Sequence, residues 1–246
     1  MEVHAHSHTA RKKWTHYFWD FLMLFLAVFC GFLAENQREH MIEQRREKQY
    51  ISSLIRDISL DTTSLHQALN TRIIFIRYYD SLVLLLKHYT DSNLNDIYYY
   101  ARHVGRIPDF RYHDRTIQQL KSSGSLRLIR NKDVADSITI YDNEMIKQIL
   151  TQQEIEPRFR NDVLQNQIGK IFDGFTWNEV VDSLARISRP VHNPKLFSKD
   201  PALLNDFIVH IVTVKTAYRL TNAYIEEAIN AAEKLIALLK KEYYLE

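Results

Sequence analysis

Thiols are almost missing from this chain: of its 246 residues, one is cysteine, Cys30. A disulfide within one chain and a cage of several cysteines around a metal are therefore excluded. Turn-formers are scarce too. There are five glycines and five prolines, and neither type occurs between Gly31 and Gly105. So little punctuation predicts long helices. No sign of charge dominates, since 32 Lys and Arg stand against 30 Asp and Glu for a net +2. That balance gives no bulk attraction to nucleic acid or anionic lipid. A glycine-rich phosphate loop, an H-E-x-x-H helix and a nucleophile elbow are absent, as are strand-like alternation and an internal repeat. The expectation is an all-α chain without a cofactor and without enzymatic activity.

What the chain has in excess is one apolar run. Trp14–Ala34 reads WTHYFWDFLMLFLAVFCGFLA, with no charge from Phe21 onward. As a helix it spans roughly 30 Å, the thickness of a bilayer's hydrocarbon core. Trp14, Tyr17 and Trp19 gather at one end as an interfacial belt does. Secretory cleavage after Ala34 and lipoprotein cleavage before Cys30 each want a small residue where Phe32 and Phe29 stand, so the helix is expected to remain as an anchor. Arg11, Lys12 and Lys13 precede it closely and place the N-terminus inside by the positive-inside rule. The sequence thus divides into a cytoplasmic tail (1–13), a transmembrane anchor (14–35), a juxtamembrane helix (36–60) and a helical bundle (61–246) in the periplasm, anchored in a bacterial inner membrane. Ala27, Cys30, Gly31 and Ala34 form a small-residue face with Asp20 on the same side, and such faces let membrane helices pack closely. Asp20, Ala27, Gly31 and Ala34 are the candidate contacts with a protein partner or a second copy.

Beyond the anchor a seven-residue pattern runs through Ile51, Ile58, Leu65, Arg72, Tyr79 and Leu86. A second row holds Leu54, Asp61, Ala68, Phe75, Leu82 and Tyr89. Only Arg72 and Asp61 break the apolar rule. A stripe this wide is the face of a bundle helix, and the anchor is expected to run into it unbroken, with a kink or restart at the weak stretch Ser59–Ser64. A short helix to Gly105 follows TDSN. Arg115–Ser123 then forms a helix capped by Gly124 with positive φ. A helix capped by Asn131 or Asp133 is expected to stop at Glu156 before Pro157. FDGFTWN leads into a helix through Ile187, and 188–201 is the longest irregular loop. Asp200 and Pro201 open a long last helix, with Leu204, Ile211, Tyr218, Ile225, Ala232 and Leu239 seven apart, expected to pack along the first.

LAVFCGFLAENQREH at 26–40, RREKQYISSLIRD at 45–57 and RTIQQLKSSGSLRLIRN at 115–131 resemble an uncharacterised family of small single-pass membrane proteins of Bacteroidota, domain-of-unknown-function family six-zero-nine-zero. The resemblance implies an inner-membrane anchor carrying a helical domain, and no activity.

Four constellations are candidates for chemistry. His4, His6 and His8 alternate as weak metal chelators do. His113-Asp114 before a helix suggests the HD class of metal-dependent phosphohydrolases, with His88 or His103 and Asp173 or Asp182 as further ligands. Residues 102–132 hold eight bases against two acids, giving an anionic-partner patch of Arg102, Arg106, Arg111, Arg115, Arg127 and Arg130. The stretch 133–182 holds ten acids against four bases and is able to neutralise it. Tyr78, Tyr79, Tyr89, Tyr98, Tyr99, Tyr100 and Tyr112 make an aromatic region suited to a core rim or a ligand pocket. The reading that follows is a membrane-anchored scaffold or accessory protein acting through protein–protein contacts. Its alternatives are a ligand-sensing periplasmic bundle coupled to a partner, and the phosphohydrolase.

Overall fold

A computed structural model of the chain describes residues 14–106, 108–192 and 194–245. All-α is the fold: among these residues the β-structure consists of two isolated bridges, Phe172 with Leu196 and Val181 with Ile187. The first helix, α1, runs unbroken from Trp14 to Lys87. It contributes to two compact units, one up to Gln49 and one from Tyr50 to Glu246. In the first unit α1 carries a window of mean hydropathy 2.0 with none of its residues buried, which makes it a candidate membrane-spanning helix.

The expected kink at Ser59–Ser64 does not occur. The hydroxyls of Ser59, Thr62 and Thr63 donate to the carbonyls of Ile55, Ile58 and Ser59 one turn back. These residues satisfy their polar groups inside the helix and do not compete with it.

After α1 come α2 (Leu94–Arg102), a 3₁₀ turn at His103–Gly105, and α3 (Arg115–Ser122). Gly124 ends α3 in the left-handed region at φ 64°, as the sequence predicts. The turn folds Ile129 into the core, with Leu126 packed beside it. A Cβ on Gly124 would meet nothing within 4 Å, so a substitution there acts through backbone strain alone. Gly124→Val is expected to cost about 1–2 kcal/mol and Gly124→Asn markedly less, read from urea melts of the two variants. Equal losses would show that something other than the φ angle governs this turn.

Asn131 then caps α4 (Lys132–Ile140), its side-chain oxygen accepting from the amides of Asp133 and Val134. Two expectations fail beyond it. The helix does not stop before Pro157. It continues through a π-helical turn, Tyr141–Ile146, into α5 (Lys147–Asn166), with Pro157 inside. A proline there forfeits one backbone bond, but Glu156 and Arg160 on either side are both buried and hold the helix in the core. The helix through Ile187 also fails. After α6 (Ile168–Ile171), α7 covers only Gly174–Glu179. Asp182 ends this helical tendency: its carboxylate accepts from the amides of Leu184 and Arg186, closing a turn with Ala185 at φ 58°. This is the aspartate turn chemistry that competes with helix. The final helix, α8, spans Pro201–Tyr243, with the Asp200 carboxylate bonded to the Ala202 amide.

The core of the second unit is two apolar clusters. One joins Ile51–Ala68 of α1 with α3, α4, the π turn and Ile225–Leu239 of α8. The other joins Tyr79–Leu86 of α1 with α2, α6, Phe172 and Leu204–Tyr218 of α8. Early α1 meets late α8 and late α1 meets early α8, so the two long helices are antiparallel. Every position of the seven-residue row of α8 is buried, as are Phe207, Val214, Thr221, Ala228 and Leu235 beside it.

Candidate functional site

The two charges that interrupt the α1 stripe, Asp61 and Arg72, mark the two polar centres of the bundle. Arg72 lies between the apolar clusters. Its Nε donates to Asn222 Oδ1 at 2.9 Å, and its two terminal nitrogens grip both oxygens of Glu156, one of them at 3.1 Å. The guanidinium lies 4.4 Å over the Tyr218 ring, and Thr221 donates its hydroxyl to Glu156. α1, α5 and α8 each contribute, and every charged member is buried. A buried bidentate pair with its remaining lone pairs satisfied is the arrangement in which attraction offsets desolvation.

The second centre surrounds Asp61 and Asp57, one turn apart on α1. Asp114 stands at the N-cap of α3 and makes no side-chain cap bond. Asp57 supplies that bond from another helix: its Oδ2 accepts from the Thr116 amide at 3.0 Å and from the Thr116 hydroxyl. Arg115 reaches its other oxygen at 3.4 Å. Asp61 accepts from the His113 amide at 2.8 Å, faces His113 Nδ1 at 3.0 Å and accepts from the Tyr141 hydroxyl at 3.1 Å. Burial raises the Asp61 carboxyl above its usual range, and the His113 and Tyr141 bonds oppose that rise. Burial also pushes the Tyr112 and Tyr141 phenols upward, reinforced by Asp142 and Asp61 respectively. Asp142 in turn accepts from Tyr112 and Lys121. The π turn gives this centre two consecutive buried residues, Tyr141 and Asp142. The space among these groups is about 10 Å³, at the lower limit for one water.

His113 is therefore committed to Asp61. Of the further ligands proposed for a phosphohydrolase, His103 Nδ1 faces the Tyr99 carbonyl, Asp173 caps α7 and Asp182 closes its own turn. Among the described residues no three His, Cys, Asp or Glu side chains converge as metal ligands do. His4, His6 and His8 lie outside the described residues.

The arginines of the anionic-partner patch separate. Arg102 lies 4.8 Å over the Trp177 ring and Arg106 donates to the Ala185 carbonyl, both in the half built around α2. Burial, then Arg106, lowers the Arg102 pKa. Arg115 and Lys121 serve the Asp57 and Asp142 carboxylates in the other half, while Arg111, Arg127 and Arg130 are exposed. Between the basic stretch and the acidic one, Lys121 pairs with Asp142. Asp20, Ala27, Gly31 and Ala34 are all exposed on α1, and a Cβ on Gly31 would meet nothing within 4 Å.

Comparison with protein-family models, with curated proteins and with solved structures finds no match.

Two surfaces remain. Tyr78, Tyr99, Tyr100 and Phe75 are half-buried around His103, whose ring centroid lies 4.6 Å from Tyr78 and 4.8 Å from Tyr99. Burial lowers the His103 pKa, and Arg189 covers Tyr99 at 4.5 Å. Tyr79 and Tyr98 are instead core residues. α7 and the irregular stretch after it expose Phe175 (91%), Leu184 (71%), Val191 (87%) and Phe197 (74%). Phe197 lines a groove of about 450 Å³ with Asp173, Glu179, His192 and Lys195. Sequence reading took this stretch as helix and loop and missed it as a surface. The signal was available in large apolar residues set singly among Asp, Asn, Ser and Pro.

Proposed function

We propose that the chain is a membrane-anchored helical scaffold or accessory protein that acts through protein–protein contacts. The observation that carries this reading is that Phe175, Leu184, Val191 and Phe197, all large apolar side chains, are left in solvent, Phe197 in the wall of a groove that charged residues also line. Exposed apolar residues rimmed by polar ones mark contact surfaces. The apolar window of α1 supports the anchor. Arg11, Lys12 and Lys13 support a single pass with the N-terminus cytoplasmic, which in a bacterial inner membrane puts the bundle in the periplasm. The small face around Gly31 offers a partner or a second copy its place in the bilayer.

The test is crosslinking in the membranes of the native host, followed by purification of the full chain. A specific partner is expected with the wild type and is expected to disappear with Phe175→Ser/Phe197→Ser, while thermal unfolding is unchanged. Identical crosslinked species from both would remove this surface from the reading. A reporter fused at Glu246 is expected to be active in the periplasm, and cytoplasmic activity would overturn the orientation.

A second reading, a ligand-sensing bundle, is favoured by the open groove of about 450 Å³ along the π turn, lined by Asn143, Glu144, Lys147, Gln148, Thr151 and Tyr224. π turns recur at functional sites.

A further inference from the structure

The connection that leads into α3 is held by side chains alone. Among the described residues, no backbone-to-backbone hydrogen bond reaches 108–113, although such bonds are the majority in folded chains. The Arg111 amide donates instead to Ser64 Oγ at 3.2 Å, and the His113 amide to Asp61 Oδ1 at 2.8 Å. Arg72 Nη1 reaches the Pro108 carbonyl at 3.5 Å, and Gln153 Nε2 donates to the Phe110 carbonyl at 3.1 Å. As the chain advances from 108 to 111 to 113, its partners on α1 step back from 72 to 64 to 61. The connection therefore runs antiparallel along α1, with α5 adding the Gln153 bond. Two of its own side chains are tied down as well, Tyr112 to Asp142 and His113 Nδ1 to Asp61. Pro108 and Phe110 are buried, while Asp109 and Arg111 are exposed.

Segments open locally where they hold little apolar surface and share no backbone bonds with the core. This one meets both conditions. Phe110 is its buried member of the first apolar cluster, with Tyr112 packed against it, and the rest of that cluster comes from the helices. Arg72 keeps Asn222 and Glu156 when Pro108 leaves. Tyr112 and His113 also form one wall of the enclosed space that Asp57, Asp61 and Asp142 line. We propose that 108–114 is a strap that lifts from α1 as a single unit while α1, α5 and α8 stay packed, and that lifting it opens Asp61 to solvent. The lifted form presents Asp61 and Ser64, a polar face of α1 that the closed form conceals.

The experiment is residue-resolved amide hydrogen exchange of the full chain in detergent micelles, for the wild type, Gln153→Met and Ser64→Ala. Gln153→Met keeps the bulk of the side chain and removes the bond to the Phe110 carbonyl, so no amide loses its own partner. The Arg111 and His113 amides are expected to exchange about 2- to 10-fold faster in this variant, both by the same factor, as loss of one hydrogen bond allows. The amides of Ile58, Leu65 and Tyr218 are expected to keep their wild-type rates. Ser64→Ala releases only the Arg111 amide directly, and is expected to accelerate His113 as well. Carbodiimide labelling of Asp61 is expected to quicken in both variants. Unchanged His113 exchange in either variant would overturn the proposal, because the fastenings would then open one by one. Equal acceleration at Tyr218 would overturn it too, since the opening would be that of the whole bundle. So would unchanged labelling of Asp61.

Discussion

Glu156→Ala is expected to destabilise the bundle by about 3–5 kcal/mol, the range for removing one partner of a buried ion pair. The loss is large because the carboxylate has several dependents. Arg72 loses both grips on its terminal nitrogens, and Thr221 loses its acceptor. Against a total stability of about 5–15 kcal/mol, this one change removes a large share. The controlled comparison is Arg72→Met/Glu156→Leu, which withdraws both charges together. It is expected to be close to neutral or stabilising, since burying apolar groups in place of a pair avoids desolvating two ions. Urea melts of the full chain in micelles distinguish the outcomes. If the double variant loses as much as the single one, the pair is a net source of stability and not a balanced one.

Asp57→Ala is expected to cost about 2–3 kcal/mol. The buried Thr116 amide and hydroxyl lose the same acceptor, and hydrogen bonds to a charged group are worth about 1.5–3 kcal/mol. Asp114→Ala, at the formal cap of α3, is expected to cost little, because that side chain makes no cap bond. The order of the two is the informative result. A cap normally comes from the residue just before the helix, and here it comes from α1, across 59 residues of sequence. Equal or reversed losses would show that α3 is started locally after all.

The long-range character of that cap also explains what the sequence did and did not reveal. The seven-residue rows of α1 and α8 were readable because each turn repeats the same burial, and a helix writes that repetition into the chain. Gly124 and the Asp200-Pro201 start were readable because their chemistry is local. Arg72 and Asp61 were visible only as interruptions. Their partners Glu156, Asn222, His113 and Tyr141 lie 52 to 150 residues away, and no spacing rule connects such positions. Pro157 and the end of α7 were misread for the same reason. Local rules stop a helix at a proline and continue one through an apolar stretch. In the folded chain, the burial of Glu156 and Arg160 carries α5 past the proline, and the Asp182 turn draws 181–187 away from helix.

The position of Arg72 and Glu156 between the two apolar clusters has a consequence for how the bundle comes apart. Apolar contact is tolerant of small slides, so an uninterrupted core would let α8 shift along α1 with modest penalty. A charged clasp at mid-height is not tolerant: its geometry is met at one setting of the three helices. Water entering from either end finds apolar packing first and the clasp last. The ends of the bundle are thus free to breathe independently, each as a separate cooperative parcel, while the waist remains closed until α1, α5 and α8 separate together.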